Sequence, residues 1–198
     1  YMCGISGILS LENRKISTKD LNMMNDMIIH RGPDSGGNFI EDNIGLGSRR
    51  LAIIDLNKSA DLPFFYKDQY VLVYNGEIYN YLELKEELIS IGYSFITNSD
   101  SEVLLTSFVE WGEDCLDKFN GMWAFAIWDR KNKKLFCSRD RFGIKPFYWS
   151  NSNGSIYFGS EIKQIRKLNL GKRCNYDELS LFLYLSLIHI SEPTRRPI

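Results

Sequence analysis

The sequence predicts a largely antiparallel α+β layered domain. Apolar runs of strand length outnumber the stretches with helical periodicity, and most neighbouring strand candidates are separated only by turn residues. Helices with recognisable start signals lie between them, so helices should cover the faces of the sheets. With 198 residues, 44% of them hydrophobic, the chain can bury one substantial core. It holds no internal repeat and no low-complexity linker.

Cys3 to Leu9 alternates small and apolar residues and reads as a strand. Ser17 opens a helix, with Asp20 three residues on and Leu21, Met24, Met27 and Ile28 as its apolar face. His30-Arg31-Gly32-Pro33-Asp34-Ser35-Gly36-Gly37 is rich in glycine and proline and reads as a loop throughout. Ile44 to Gly47 and Leu51 to Ile54 read as short strands flanking Arg49-Arg50, and a loop through Pro63 leads to a buried strand at Tyr70–Tyr74. Asn80 with Glu83 matches a capping box ahead of a helix burying Leu84, Leu88 and Ile91. Ser99 with Glu102 repeats that signal ahead of Val103, Leu104, Phe108 and Trp111. Strands follow at Met122–Trp128, Lys134–Ser138, Phe147–Ser150 and Ile156–Phe158, with a hairpin turn at Asp129–Lys133. Helices are expected from about Glu161 to Lys167 and again from about Tyr176.

Composition narrows the function classes. A formal net charge of −1 offers no electrostatic case for nucleic acid or an anionic membrane, and Arg195-Arg196 is too short to be a basic patch. Cys3, Cys115, Cys137 and Cys174 lie far apart without a Cys-x-x-Cys pair, which argues against a zinc site, a redox motif or a disulfide framework. No signal peptide precedes Cys3, and the apolar run Leu179–Ile190, broken by Ser180, Ser186 and His189, is too short to span a bilayer. The expectation is a cytoplasmic protein with no resident metal.

Two stretches carry polar residues that packing does not demand. In Met2-Cys3-Gly4 the cysteine becomes the first residue once the methionine is removed. It then holds both a thiol and an α-amine whose unperturbed pKa is about 7.7–8.0, which suits a nucleophile activated by its own amine. A small buried cysteine in a first strand fits the same residues. Tyr74-Asn75-Gly76-Glu77-Ile78-Tyr79-Asn80 likewise has two readings. Asn-Gly between apolar runs is a strong hairpin signal. Alternatively, the Asn75 amide and the Gly76 backbone N–H form an oxyanion hole, where glycine lets the backbone approach a ligand closely.

Eight segments in order then define a resemblance: Cys3-Gly4-Ile5, His30–Asp34, Arg50-Leu51-Ala52-Ile53-Ile54-Asp55, Asn75–Asn80, Ser99-Asp100-Ser101-Glu102, Gly121–Ala126, Arg139–Pro146 and Ser160-Glu161-Ile162-Lys163. The set resembles the glutaminase domain of glutamine-hydrolysing asparagine synthetases, class II glutamine amidotransferases of the N-terminal-nucleophile hydrolase superfamily. The resemblance covers residues 2–186 and implies a four-layer α/β/β/α sandwich. It implies Cys3 as nucleophile with its own α-amine as base, and Asn75 and Gly76 as the oxyanion hole. It also implies Arg50 on the glutamine α-carboxylate, Asp100 and Glu77 on the α-ammonium, and backbone near Leu51 and Ile53 lining the pocket. His30 and Arg31 receive no catalytic role; their loop is expected to brace the pocket. Relatives that make glucosamine phosphate or phosphoribosylamine carry Thr-Arg-Trp or Thr-Arg-Tyr where this chain has Arg49-Arg50-Leu51, which favours the asparagine synthetase branch. That branch includes synthetases with other acceptors, and a non-catalytic glutamine-binding relative is the competing class.

Three departures accompany the resemblance. Tyr1 precedes Met2, so Cys3 gains its amine only if Met2 is the true start and is removed. The chain has no Ser-Gly-Gly-x-Asp-Ser pyrophosphate loop, so no cofactor is expected here, and ATP and Mg²⁺ belong to a missing C-terminal synthetase domain. Residues 187–198 lie out of register with the family and resemble translated adaptor sequence. L-glutamine and the synthetase domain are the expected partners, and a homodimer of the full-length protein fits the same resemblance.

Overall fold

In a computed structural model, which describes residues 3–51 and 60–168, alternation along each strand divides the apolar residues between two faces. The elements in chain order are β1 (Gly4–Ser10), α1 (Thr18–Asp26), β2 (Ser35–Glu41), β3 (Ile44–Arg50), β4 (Phe64–Tyr66), β5 (Tyr70–Ile78), α2 (Tyr81–Ser90) and α3 (Asp100–Trp111). They continue with α4 (Cys115–Lys118), β6 (Gly121–Asp129), β7 (Lys134–Arg139), β8 (Tyr148–Ser152), β9 (Ser155–Gly159) and α5 (Ile162–Lys167). Two sheets result, ordered β2-β3-β1-β9-β8 and β4-β5-β6-β7, and every ladder within them is antiparallel.

The sheets pack face to face. Ile5, Ile44 and Leu46 from the first meet Val71, Val73, Ala124, Ala126 and Trp128 from the second in one fully buried layer, joined by Phe158. On the outer face of the first sheet Ile8 packs with Leu21 and Met24 of α1. On the outer face of the second, Leu72, Tyr74 and Phe125 pack with Leu84, Leu88, Leu104 and Leu105 of α2 and α3. The architecture is the α/β/β/α sandwich that the resemblance implies. No helix among the described residues is long and apolar enough to cross a membrane.

Several local expectations hold for the expected reason. The Ser17 hydroxyl accepts from the Asp20 N–H at 3.3 Å and caps α1. The Asp129 carboxylate collects the Lys131 and Asn132 N–H groups, each at 3.0 Å, and closes the β6–β7 hairpin.

Others are corrected. Asn75-Gly76 is no hairpin: it lies within β5, which pairs without interruption from Tyr70 opposite Asp129 to Ile78 opposite Gly121. Ser35, Gly36 and Gly37 begin β2 rather than extending the loop, because their backbone pairs with Arg50, Arg49 and Ser48. Leu51 lies outside β3, and the rest of the strand expected there falls outside the described residues. The Asn80 side chain does not cap α2; it bonds to the Lys118 carbonyl and the Asn120 N–H, tying the helix start to the stretch before β6. The Ser99 hydroxyl accepts from Ser101, while the Glu102 carboxylate gathers the Ile96 and Thr97 N–H groups, so no reciprocal box forms. Ile91 is exposed. The short elements β4 and α4 carried no sequence signal, and the helix expected from Tyr176 lies outside the described residues.

Phe158 fills a gap left by a glycine on the neighbouring strand. It lies opposite Gly7 in the β1–β9 ladder, and its ring occupies the space where a Gly7 side chain would stand. The ring stacks on Phe147, with centroids 5.2 Å apart. Truncating a buried phenylalanine typically costs about 3–5 kcal/mol. Phe158→Ala should therefore lower unfolding stability by about that amount in urea titrations, and a loss below about 1 kcal/mol would mean the layer relaxes to fill the gap.

Candidate active site

β1 is the central strand of its sheet, and its first residues are held on both sides. Gly4 pairs with Arg49 of β3 on one side. On the other, the Ile5 N–H donates to the Ser160 hydroxyl at 2.9 Å, and the Ile5 carbonyl accepts from the Ser160 N–H at 3.1 Å and the Gln164 amide at 3.1 Å. The Arg31 Nε donates to the Cys3 carbonyl at 3.0 Å. Glu161 then anchors the Arg31 loop, meeting His30 at 2.8 Å, Arg31 at 3.3 Å and, from its own helix, Lys163 at 2.8 Å. The loop His30–Asp34 therefore braces Cys3 rather than reaching the sulfur.

Strand alternation brings three of the expected residues to one end of the intersheet layer. Cys3 continues the inward face of Ile5, Arg50 that of Ile44 and Leu46, and Asn75 that of Val71 and Val73. Arg49 takes the other face, where it bonds the Asn25 carbonyl and the Asp26 carboxylate. The apolar layer thus gives way to a thiol, a guanidinium and an amide.

The Leu51 backbone brackets the sulfur: its N–H donates to Cys3 Sγ at 3.4 Å, and its carbonyl accepts from the thiol at 3.6 Å. Burial pushes the Cys3 thiol above its ordinary pKa, opposed by the Leu51 N–H and the charges of Arg50 and Lys145 and reinforced by Asp100. Lys145 is only 4% exposed and its own pKa is lowered by burial. It is delivered by a loop wound around Asp140, whose buried carboxylate accepts N–H groups from Trp123, Phe142, Ile144 and Lys145 at 2.9–3.3 Å.

Asn75 is 1% exposed, and its Nδ2 has no hydrogen-bond partner among the described residues. A buried donor without a partner is uncommon and calls for a reason. The direction of the neighbouring Gly76 N–H is set by the ladder. Tyr79 donates its N–H to the Asn120 carbonyl at 2.7 Å, so in this unbroken antiparallel register the odd-numbered residues turn their amides to β6. The N–H groups of Gly76 and Ile78 therefore face the opposite edge, where β4 pairs only with residues Tyr70 to Leu72. Ile78 gives its N–H to Asp100. A side chain at Gly76 would collide with the Met122 carbonyl and stand 2.5 Å from the Tyr74 ring, so glycine is demanded by close approach alone.

Asp100, the first residue of α3, is buried, and desolvation raises its pKa while the Tyr74 hydroxyl and Ile78 N–H oppose the rise. Glu77 is exposed on β5, and its charge acts on both Asp100 and Lys145. Arg50 meets the Asp61 carboxylate at 2.8 Å, and Asp61 also accepts from the Ser35 hydroxyl at 3.0 Å. Ile53 lies outside the described residues. Cys3, Arg50, Leu51, Asn75, Gly76, Glu77 and Asp100 thus converge on one region. Tyr74, Asp61 and Lys145 join them without having been assigned a role from sequence: Tyr74 reads as core, Asp61 as loop, and nothing in Gly143-Ile144-Lys145-Pro146 marks its lysine as buried. A separate cavity of about 430 Å³, lined by Arg31, Arg139, Tyr148 and Glu161 among others, contains none of the predicted site residues.

Comparison with known proteins fits this arrangement. Residues 2–196 match the family model described as glutamine amidotransferase domain. The chain is 41% identical over 198 residues to asparagine synthetase [glutamine-hydrolyzing] 1 of Bacillus subtilis, covering 98% of this chain and 31% of that protein. It is 42% identical over 167 residues to asparagine synthetase [glutamine-hydrolyzing] 3 of the same organism, covering 83% and 27%. The chain therefore spans less than a third of the length of these relatives. A glutamine phosphoribosylpyrophosphate amidotransferase from B. subtilis shares the fold, with a TM-score of 0.71 at 18% identity over 85% of this chain and 44% of that one.

The electrostatics around the sulfur can be read by alkylation. Cys3 should carboxamidomethylate with a midpoint above the ordinary thiol value of about 8.5. Arg50→Met should move the midpoint to higher pH and Asp100→Asn to lower pH, followed by peptide mapping at Cys3. Buried Cys115, pushed up to about 12, should stay unmodified across the neutral range. A midpoint indifferent to both substitutions would show that neither charge reaches the thiol.

Proposed function

The chain belongs to the glutamine amidotransferase domain family, and on that premise we propose that it hydrolyses the side-chain amide of glutamine through a cysteinyl thioester. The observation that carries this reading is the buried Asn75 amide nitrogen, without a partner among the described residues and on the same inner face as Cys3. Its position suits a donor whose acceptor arrives with the substrate.

The chemistry follows from the groups present. A thiol raised by burial is protonated near neutral pH and needs a base to become a nucleophile. The α-amine of Cys3, once exposed by removal of what precedes it, is that base, with a pKa of about 7.7–8.0. The sulfur attacks the γ-carbonyl carbon, and the negative charge that develops on its oxygen is received by Asn75 Nδ2 and the Gly76 N–H. Collapse breaks the C–N bond, and the proton held by the amine leaves with ammonia. Water then attacks the thioester, returning the thiol and releasing glutamate. Arg50 receives the α-carboxylate, a role suited to a guanidinium already paired with a carboxylate at 2.8 Å. Asp100 and Glu77 receive the α-ammonium, and the backbone at Leu51 lines the pocket.

In a longer protein the ammonia would pass to a C-terminal synthetase domain that uses ATP and Mg²⁺ to amidate aspartate; the B. subtilis relatives are named glutamine-hydrolyzing asparagine synthetases. A cytoplasmic location and a homodimer of the full-length protein belong to the same proposal.

Two substitutions test it. Cys3→Ala, in a chain processed to begin at that residue, should abolish glutamate release while glutamine still binds; substantial turnover would name the wrong nucleophile. Asn75→Asp should fold and bind glutamine but lose about 10²–10³ in kcat, because an amide donor is replaced by a carboxylate beside a developing negative charge. Near wild-type turnover would remove Asn75 from the chemistry.

A further inference from the structure

We propose that the Tyr74 hydroxyl is a positioning group for glutamine recognition, orienting the Asp100 carboxylate toward the substrate α-ammonium; this rests on the glutaminase reading. Tyr74 stands on the helix-facing side of β5 and is buried among Leu72, Leu104 and Phe125. Its hydroxyl donates to Asp100 Oδ2 at 2.8 Å, and the Ile78 N–H donates to the same oxygen at 3.1 Å. Two donors from one strand thus fix a single oxygen of a carboxylate on the facing helix, and Oδ1 is the oxygen that neither of them claims. A carboxylate free to rotate would divide its time between orientations; one clamped at Oδ2 has its ligand-facing oxygen set in advance.

The surroundings fit a clamp. The phenol ring is held by core packing, and the absence of a side chain at Gly76 leaves room for its edge. Burial opposes the ionised form of Asp100, as do the negative charge of Glu77 on β5 and, across the sheets, the thiol of Cys3 when ionised. The Tyr74 hydroxyl and Ile78 N–H, with the Ser101 N–H of the same helix start, favour the ionised form, which is the one that attracts an ammonium. Tyr93, by contrast, bonds Glu110 at the exposed far end of the same helix at 2.8 Å, away from the site.

Tyr74→Phe keeps the ring and removes only the clamp. An ammonium contact made equally in ground and transition states should appear in KM and not in kcat. With processed enzyme, Tyr74→Phe should raise the KM for glutamine about tenfold, the scale of one hydrogen bond to a charged group, with kcat within about twofold. Tyr93→Phe should leave both constants unchanged. In an Asp100→Asn background, Tyr74→Phe should add nothing further, because its effect passes through Asp100. In the ligand-free protein, ¹³C NMR should find the Asp100 carboxyl titrating at higher pH in Tyr74→Phe than in wild type. Wild-type KM in an active Tyr74→Phe protein would overturn the inference and leave the glutaminase reading standing. Equal, additive losses in both backgrounds would also overturn it, marking a general packing defect. A processed wild-type protein that neither binds nor hydrolyses glutamine would overturn both.

Discussion

Everything at the site depends on the packing of two antiparallel sheets through a dry layer that ends abruptly in polar groups. Ile5, Leu46 and Val73 lie in that layer, and the next inward positions on their three strands toward the site are Cys3, then Ser48 and Arg50, and Asn75. Because side chains alternate with a period of two, a slip of one residue in any of these strands would turn its polar group outward. The registers that prevent slippage are long and continuous: the β1–β3 ladder that opens with Gly4 opposite Arg49, and the run from Tyr70 to Ile78 along β6. Sheet pairing, with the Arg31 loop bracing the Cys3 backbone, therefore places the thiol and the amide at the same end of the layer.

The charges around the sulfur work against one another. Burial and Asp100 keep the thiol protonated, while Arg50, Lys145 and the Leu51 N–H pull the other way. The balance leaves a thiol that is unreactive until a base adjacent to it takes its proton. Lys145 owes its place to Asp140, whose carboxylate is committed to four backbone N–H groups of its own loop and of β6. The Arg139–Pro146 segment is therefore a scaffold that carries one cation to Cys3.

The sheet-and-helix pattern was legible because it rests on periodicity. The strands of Tyr70–Tyr74 and Met122–Trp128 and the Ser17 cap could be read from residue order alone. What could not be read has a common physical origin in long-range pairing. Asn75-Gly76 carries a local turn signal, but nine consecutive β5–β6 pairs outweigh it and keep the strand straight. Asn80 and Glu102 carry local capping signals, yet each finds better partners elsewhere, at Lys118 and Asn120 in one case and at Ile96 and Thr97 in the other. The same limit applies to the site. Cys3, Arg50, Asn75, Gly76 and Asp100 were recognisable as residue types in a family order, whereas Tyr74, Asp61 and Lys145 acquire meaning only when the chain brings them beside a partner distant in sequence.

Attack of Cys3 on glutamine, with transfer of the acyl group to its sulfur, is the step on which the mechanism stands. It is tested most directly by acid-quenching processed protein during turnover and mapping the glutamyl adduct by mass spectrometry. The expected result is a hydroxylamine-sensitive adduct on the N-terminal cysteine alone, accumulating with added glutamine and absent from the Cys115, Cys137 and Cys174 peptides. Turnover with an adduct on another residue, or a Cys3 that remains unmodified while glutamate is released, would contradict it.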